Sequence, residues 1–124
     1  MRTIDYVLLA VQNPTKSAAL YEKLLGVAPV ERSETFCMFV LPNGLKLGLW
    51  IARDVRPAPN APGGVEIAFT EASRDAVLAT YEAWKKLGME VLQEPTDMDF
   101  GFTFVVRDAD GHRLRPFVPA EQPR

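Results

Sequence analysis

The 124-residue sequence predicts an α+β fold made of two tandem βαβββ modules. The first observation is an order of strand, helix and further strands that occurs twice, at a spacing of roughly 60 residues. The second is the similarity of two short sequences, YEKLLG in the first half and YEAWKKLG in the second, together with an NG turn in the first half and a DG turn in the second. The third is a proline-, alanine- and glycine-rich segment between the halves. We therefore assign residues 1–56 to module one, 57–63 to a linker and 64–124 to module two, within a single domain.

Module one starts with an apolar, β-prone strand at residues 4–11, IDYVLLAV. In the string NPTKSAALYEKLLG, Asn13 is the predicted helix N-cap and Gly26 the predicted C-terminal stop. The strings TFCMFVL and LKLGLWI then predict a hairpin, in which the NG pair between them is expected to supply positive φ angles.

Module two repeats this order. VEIAFT is a predicted strand, and a helix follows from its cap at Ser73 to its stop at Gly88. MEVLQE, residues 89–94, is the next strand, and residues 102–118 form the closing hairpin. Trp84, on the helix, is expected to be core packing.

Composition excludes several classes of function. The formal net charge is −2 and no basic stripe is present, so a nucleic-acid partner is not expected. No apolar run approaches the ~20 residues of a membrane span, and the start does not resemble a signal peptide, so we expect a cytoplasmic protein without a membrane partner. Cys37 is the single cysteine and lies in an apolar strand pattern, which predicts a buried thiol and no internal disulfide.

The strings SAALYEKLLGV, VEIAFT and VRDADGHRL, in this order and spacing, resemble the vicinal oxygen chelate superfamily. That superfamily includes glyoxalases, extradiol dioxygenases, fosfomycin-modifying enzymes and bleomycin-binding proteins. The resemblance covers nearly the whole chain. It implies that each module curls its strands into a half-open cup, and that two cups, often shared across a homodimer, enclose the ligand.

Metal-dependent members of the superfamily place four ligands at positions that correspond here to Tyr6, Gly48, Glu66 and Arg115. These residues do not form a ligand set for a divalent ion, because glycine has no side-chain donor and arginine is permanently cationic. We therefore expect no metal or other cofactor. His112 is expected to be a solvent-facing turn residue rather than a ligand.

No nucleophile with a partnering base is apparent, so no catalytic residue is predicted, and a binding protein is favoured over an enzyme. An enzyme of the glyoxalase or dioxygenase type with an atypical metal site is the alternative, and a protein with a vestigial pocket is the third interpretation left open.

The predicted ligand pocket is aromatic. Alternation along strands places Gly48 on the face of Trp50, where the missing side chain could leave a slot for a flat ligand. The strings LGLW and EPTDMDFGFTFVVRDADGHRLRPFVP also resemble phenazine antibiotic resistance proteins, which implies metal-free sequestration of a planar aromatic antibiotic between aromatic side chains. The predicted ligand-contacting residues are Trp50, Gly48, Tyr6, Met38, Glu66, Met98, Phe100, Phe104, Arg115 and Phe117.

Two roles are open for Arg115, which shares its predicted face with Arg113 and Phe117. It can pair with Glu66 across the sheet, as a buried ion pair, or it can receive a carboxylate of the ligand. Pairing is the favoured interpretation.

Overall fold

The computed structural model describes residues 1–121, and the chain divides between Ala61 and Pro62 into two compact units, unit 1 and unit 2. The division falls in the segment interpreted as a linker. Each unit contains one α-helix and a four-stranded mixed sheet, which confirms the predicted α+β class with two βαβββ modules. The last three residues of the predicted second module, 122–124, lie outside the described residues.

Unit 1 contains a twelve-residue helix and a sheet with the strand order β1-β4-β3-β2, in which β1 pairs with β4 in parallel and the other neighbours are antiparallel. The two-residue strand β2 was not located by the sequence pattern. A single 3₁₀ turn, Ala52–Asp54, follows the last strand. The elements are β1 (Tyr6–Val11), α1 (Pro14–Leu25), β2 (Glu31–Arg32), β3 (Phe36–Val40) and β4 (Lys46–Ile51).

Unit 2 repeats this topology with the order β5-β8-β7-β6, and β5 pairs with β8 in parallel. Strand β6 continues to Met98, beyond the predicted end at residue 94, and it carries register shifts against β7. The elements are β5 (Glu66–Thr70), α2 (Arg74–Lys86), β6 (Glu90–Met98), β7 (Gly101–Arg107) and β8 (Arg113–Pro119).

The helix boundaries follow the predicted capping residues. The Asn13 side chain accepts a hydrogen bond from the backbone N–H of Lys16 at 3.1 Å, and Ser73 caps α2 in the same way. Gly26 ends α1 with a left-handed φ of 74°, and its N–H donates to the carbonyl of Glu22. No helix within residues 1–121 is long and apolar enough to cross a membrane.

The hairpin turns differ from the predicted NG and DG geometry. Gly44 has a φ of 89° and Gly111 a φ of 90°, but Asn43 does not have a positive φ. The Asn43 side chain instead accepts from the backbone N–H of Leu45 at 3.0 Å. Backbone bonds from Leu41 N–H to the Leu45 carbonyl and from Gly44 N–H to the Leu41 carbonyl define a three-residue loop that ends in a left-handed glycine. The expectation of positive φ at Asn43 was therefore wrong.

Each sheet packs one face against its own helix and leaves the other face open; we call the second the open face. On the helix side of unit 1, Leu49 and Phe39 are fully buried, and Cys37 is 2% exposed, which confirms the expected buried thiol. On the helix side of unit 2, Trp84 is 6% exposed and contacts Phe69 edge-to-face at 5.4 Å, which confirms its core role.

Candidate functional site

The open face of unit 1 carries Trp50 on β4 and Phe36 on β3. These two residues are Cα partners in the antiparallel pair, so their side chains are direct cross-strand neighbours. Met38 is likewise the partner of Gly48. Both aromatic side chains are half-buried, so the strand alternation places an aromatic pair on an accessible surface, as the sequence predicted for Trp50 but not for Phe36.

Gly48 does not leave an empty slot beside Trp50. A Cβ at this position would lie 2.6 Å from Leu8 Cδ2 and 3.0 Å from the Phe36 ring, so these two side chains already cover the glycine backbone. The glycine allows close packing of Leu8 and Phe36. The prediction of a slot was therefore wrong, because the side chains of Leu8 and Phe36 cover the surface beside Trp50.

Tyr6 and Met38 are connected across this face. The Tyr6 hydroxyl donates to Met38 Sδ at 3.0 Å, and the Lys46 ammonium lies 5.9 Å from the Tyr6 ring centroid. Tyr6 and Leu8 are 39% and 53% exposed. The open face of unit 1 is therefore an exposed apolar and aromatic surface with one cation at its edge.

The open face of unit 2 carries an ion-pair cluster of Glu66, Arg113 and Arg115. Arg115 donates from Nε to Glu66 Oε1 at 2.9 Å and from Nη2 to Oε2 at 3.2 Å, in a bidentate arrangement. Arg113 donates from Nε to Glu66 Oε2 at 2.9 Å, and its Nη2 lies 2.7 Å from the same oxygen as an ion pair. The Glu66–Arg115 pair favoured from the sequence is present, but the expectation that it is buried was wrong, because the Glu66 side chain is 29% exposed and the Arg115 side chain 16%.

Arg115 is held on all sides. Its Nη1 donates to Gln93 Oε1 at 3.1 Å and to Thr103 Oγ1 at 3.4 Å. Thr103 is itself fully buried and donates to the Pro116 carbonyl at 2.8 Å. Because every guanidinium nitrogen of Arg115 has at least one partner, this side chain is anchored within the fold.

The arginines shift the ionisation of the carboxylate they contact. Hydrogen bonding from Arg115 holds the pKa of Glu66 below its ordinary value of 4.5, although partial burial opposes this. The hydrogen bond from Arg113 lowers the pKa of Glu66 further. Glu66 is therefore ionised at neutral pH, with both oxygens engaged.

Aromatic side chains border this cluster. Phe100 and Phe117 form an edge-to-face pair with ring centroids 6.0 Å apart, and the Arg115 guanidinium lies 5.7 Å from the Phe100 centroid. Phe100 and Met98 are 42% and 39% exposed. Three of the predicted ligand-contacting residues are thus brought together with Glu66 and Arg115 on one surface.

Phe104 lies on the other side of its sheet, which corrects its predicted place in the ligand pocket. It is fully buried and packs edge-to-face against Tyr81 and Trp84 of α2, at 5.2 and 5.8 Å. Phe102, also on the helix side, lies under the Arg74 guanidinium at 3.9 Å. Both phenylalanines of the FTF string are therefore core residues between sheet and helix.

A pocket of about 390 Å³ opens in unit 2 next to the turn between β7 and β8. Its size falls in the range of small-molecule sites. Arg113 connects it to the ion-pair cluster. The lining residues are Pro62, Gly63, Leu92, Arg107, Ala109, Asp110, Gly111 and Arg113.

The residues at the superfamily's metal-ligand positions do not fit a divalent ion. In unit 1, Gly48 has no side chain to coordinate a metal, and the Tyr6 hydroxyl donates a hydrogen bond to the Met38 thioether. In unit 2, both oxygens of Glu66 accept from guanidinium groups, and Arg115 would repel a cation. Within residues 1–121, no group of three or more His, Cys, Asp or Glu side chains is arranged to hold a metal.

Two four-stranded mixed sheets of βαβββ topology, each backed by one helix, define the glyoxalase-like fold. The sequence profile of the Glyoxalase/Bleomycin resistance protein/Dioxygenase superfamily matches residues 3–115, and the chain belongs to this superfamily. A protein of Agrobacterium tumefaciens, solved by NMR in solution, is 45% identical over 98% of this chain and 100% of its own, with a TM-score of 0.90.

Two more distant structures share the fold. A glyoxalase-related enzyme from Fulvimarina pelagi is 22% identical over 95% of this chain and 88% of its own, with a TM-score of 0.85. A glyoxalase/bleomycin resistance protein/dioxygenase from Nocardioides is 23% identical over 100% of this chain and 87% of its own, with a TM-score of 0.83. No curated protein matches the chain.

Sequence reasoning missed several residues of these two surfaces. Phe36 lies two residues before Met38, and Leu8 lies two residues after Tyr6, so strand alternation predicts that each pair shares a face. The pairing of Phe36 with Trp50 and of Leu8 with Gly48 depends on the strand register, which the sequence pattern does not give. Gln93 reaches Arg115 from β6, where register shifts prevent any reliable count from the turn.

Proposed function

We propose that the protein binds and sequesters a planar aromatic small molecule of the phenazine type, without a metal ion and without converting it, and so confers resistance to an aromatic antibiotic. The observation that carries this proposal is the open face of unit 1. There Trp50 and Phe36 are neighbours on an accessible surface whose other side chains include Leu8, Met38 and Tyr6.

The energetics of such a surface suit a flat ligand. Each aromatic contact in offset or edge-to-face geometry contributes roughly 0.5–1.5 kcal/mol beyond the area that it buries. Met38 adds a polarizable thioether that adapts to irregular outlines. Because Leu8 and Phe36 already fill the space over Gly48, the ligand would lie on top of this face rather than inside a slot.

The choice of binding over catalysis rests on the donor set described above. Glu66 is the single carboxylate among the four superfamily positions, and both of its oxygens are engaged by arginines. We expect metal analysis of protein purified without chelator to find no stoichiometric metal. Stoichiometric zinc, nickel or manganese would restore the alternative, an enzyme of the glyoxalase or dioxygenase type.

The phenazine class comes from the resemblance of the LGLW and EPTDMDFGFTFVVRDADGHRLRPFVP strings to phenazine antibiotic resistance proteins. The segment includes Phe100 and Phe117, which border the cluster on the open face of unit 2. This similarity supports a planar tricyclic ligand.

Tryptophan fluorescence tests the proposal. The chain has two tryptophans, so Trp84→Phe leaves Trp50 as the single emitter. Titration with phenazine should then quench the emission saturably, after correction for absorption by the ligand, because stacking brings the rings into contact. By calorimetry, Trp50→Ala and Phe36→Ala should each weaken binding about tenfold.

Leu78→Ala is the matched control, since Leu78 is 42% exposed on α2 and belongs to neither open face. It should leave the affinity unchanged. An unaltered affinity in Trp50→Ala, or no saturable binding of any planar polycycle, would overturn the proposal.

We also infer that two chains associate as a homodimer. Strand β1 is the edge strand of the unit 1 sheet, and its open-face side chains Tyr6 and Leu8 are 39% and 53% exposed. A second copy would cover this exposed edge strand. Light scattering at micromolar concentration should report twice the 13.8 kDa chain mass, and a monomer would contradict the inference.

A further inference from the structure

The charged cluster on the open face of unit 2 contains one more positive charge than negative charges. Arg113 and Arg115 together face a single carboxylate, Glu66. Their other side-chain partners, Gln93 and Thr103, are neutral. A partly buried cluster with an uncompensated charge favours the approach of an anion.

The two arginines differ in what they can still bind. Arg115 has a side chain only 16% exposed, and each of its guanidinium nitrogens has a partner. Arg113 has a side chain 35% exposed and directs both Nε and Nη2 to one oxygen of Glu66. Within the part of the chain that the structure describes, Arg113 Nη1 has no hydrogen-bond acceptor. The surplus charge is therefore available at Arg113.

Arg113 also lines the 390 Å³ pocket next to the turn between β7 and β8. The other arginine on the pocket wall, Arg107, is paired with Glu90 at 2.8 Å, so its charge is balanced. Leu92 supplies apolar surface and is 43% exposed. Asp110 is also on the wall, so a second negative charge on a ligand would face a carboxylate.

We propose that Arg113 is an anion-binding residue and that this pocket of unit 2, taken by itself, binds an aromatic monoanion whose carboxylate accepts hydrogen bonds from the Arg113 guanidinium. The inference concerns this pocket alone, in addition to the surface proposed on unit 1, and it rests on the proposed function for the aromatic character of the ligand. Glu66 and Arg115 act as positioning residues, because Glu66 holds Arg113 through Nε and Nη2 while Arg115 engages the same carboxylate, and Arg113 is itself on the pocket wall. Charge-assisted hydrogen bonds to a carboxylate are about twice as strong as neutral ones.

Calorimetric titration of the full chain with two matched probes, phenazine-1-carboxylate and uncharged phenazine, tests this inference. At low ionic strength the wild-type protein should bind the carboxylate at least about tenfold more tightly, and the preference should shrink as salt is raised. Arg113→Met should reduce the preference to within about twofold. Arg74→Met removes a guanidinium from the helix side of the same unit and should preserve the preference.

The wild-type comparison does not depend on how any variant folds. Equal affinity for the two probes, or a preference that survives in a folded Arg113→Met protein, would overturn the assignment of Arg113 and leave sequestration of planar aromatics standing. Failure of both probes to bind would instead overturn the proposed function and, with it, this inference.

Discussion

The hairpin of β3 and β4 in unit 1 and the hairpin of β7 and β8 in unit 2 share one backbone design. Each turns through a three-residue loop that ends in a left-handed glycine, Gly44 or Gly111. Each then pairs its last strand in parallel with the first strand of its unit. Positions in the two hairpins therefore correspond one to one when they are counted from these glycines.

Side chains at corresponding positions are complementary in volume. Four residues after the turn glycine stands Gly48 in unit 1, covered by the large neighbours Leu8 and Phe36. The same position in unit 2 is Arg115, and the residues that correspond to Leu8 and Phe36 are the small Ala68 and Thr103.

The charges at corresponding positions of the two units also differ. Tyr6 and Lys46 are partners in unit 1, and Glu66 and Arg113 are partners at the corresponding place in unit 2. The backbone thus supports either an apolar surface or an ion-pair cluster, and the neighbouring side chains must change together.

The largest expected change in stability comes from comparing the helix-side core of unit 2 with that of unit 1. Phe104 corresponds to Cys37 in the other hairpin, and both are buried. Phe104→Ala removes a ring packed against two aromatic residues and should lower the free energy of unfolding by about 3–5 kcal/mol. Cys37→Ala removes one small group and should cost about 1 kcal/mol. Denaturant unfolding measures both; a cost below about 1 kcal/mol for Phe104→Ala would contradict its core role.

Breaking the charged cluster should have the next largest effect. Arg115→Met should lower the free energy of unfolding by about 2 kcal/mol, less than the ~3–5 kcal/mol of a fully buried pair, because the Glu66 side chain is 29% exposed. Lys46→Met, in unit 1, removes a cation–π contact at 5.9 Å and should cost no more than about 0.5 kcal/mol. Equal costs for the two variants would show that Arg115 does not support the fold.

Acidification should weaken unit 2 through Glu66. Its folded-state pKa lies below the ordinary value of 4.5, so its contribution to stability is complete above that value and is lost as the pH falls through the folded-state pKa. The stability difference between wild type and Glu66→Gln should therefore be largest near neutral pH and shrink as the pH falls below 4.5. A difference that stays constant or grows on acidification would mean that the pairing does not depend on the ionised carboxylate.

A small net effect is expected at Gly48, because two contributions there oppose each other. In Gly48→Ala the new Cβ displaces the end of Leu8, which is 53% exposed and can turn away, while the loss of a strand glycine favours folding by about 0.5–1 kcal/mol. The net change should stay within about 1 kcal/mol. In a double-mutant cycle with Leu8→Ala, the two changes should couple favourably, because the truncated Leu8 makes room; strict additivity would show that Leu8 does not cover the glycine.

Local patterns in the sequence were sufficient for the fold class and for much of the charged cluster. Helix caps at Asn13 and Ser73 act through neighbouring backbone groups, so they are visible in a few residues of sequence. Alternation along a single strand likewise places Arg113 and Arg115 on one face without any knowledge of the rest of the molecule.

Which residues meet across a hairpin was decided only by the tertiary structure. If Asp110 and Gly111 formed a two-residue turn, Phe104 would pair with Phe117 on the open face. The actual three-residue loop pairs Phe102 with Val118 and Thr103 with Phe117, so the phenylalanines of the FTF string face the helix. One additional loop residue reverses the face of a whole strand relative to its partner, because side chains alternate with a period of two. The loop length depends on hydrogen bonds within the turn and on packing against the helix.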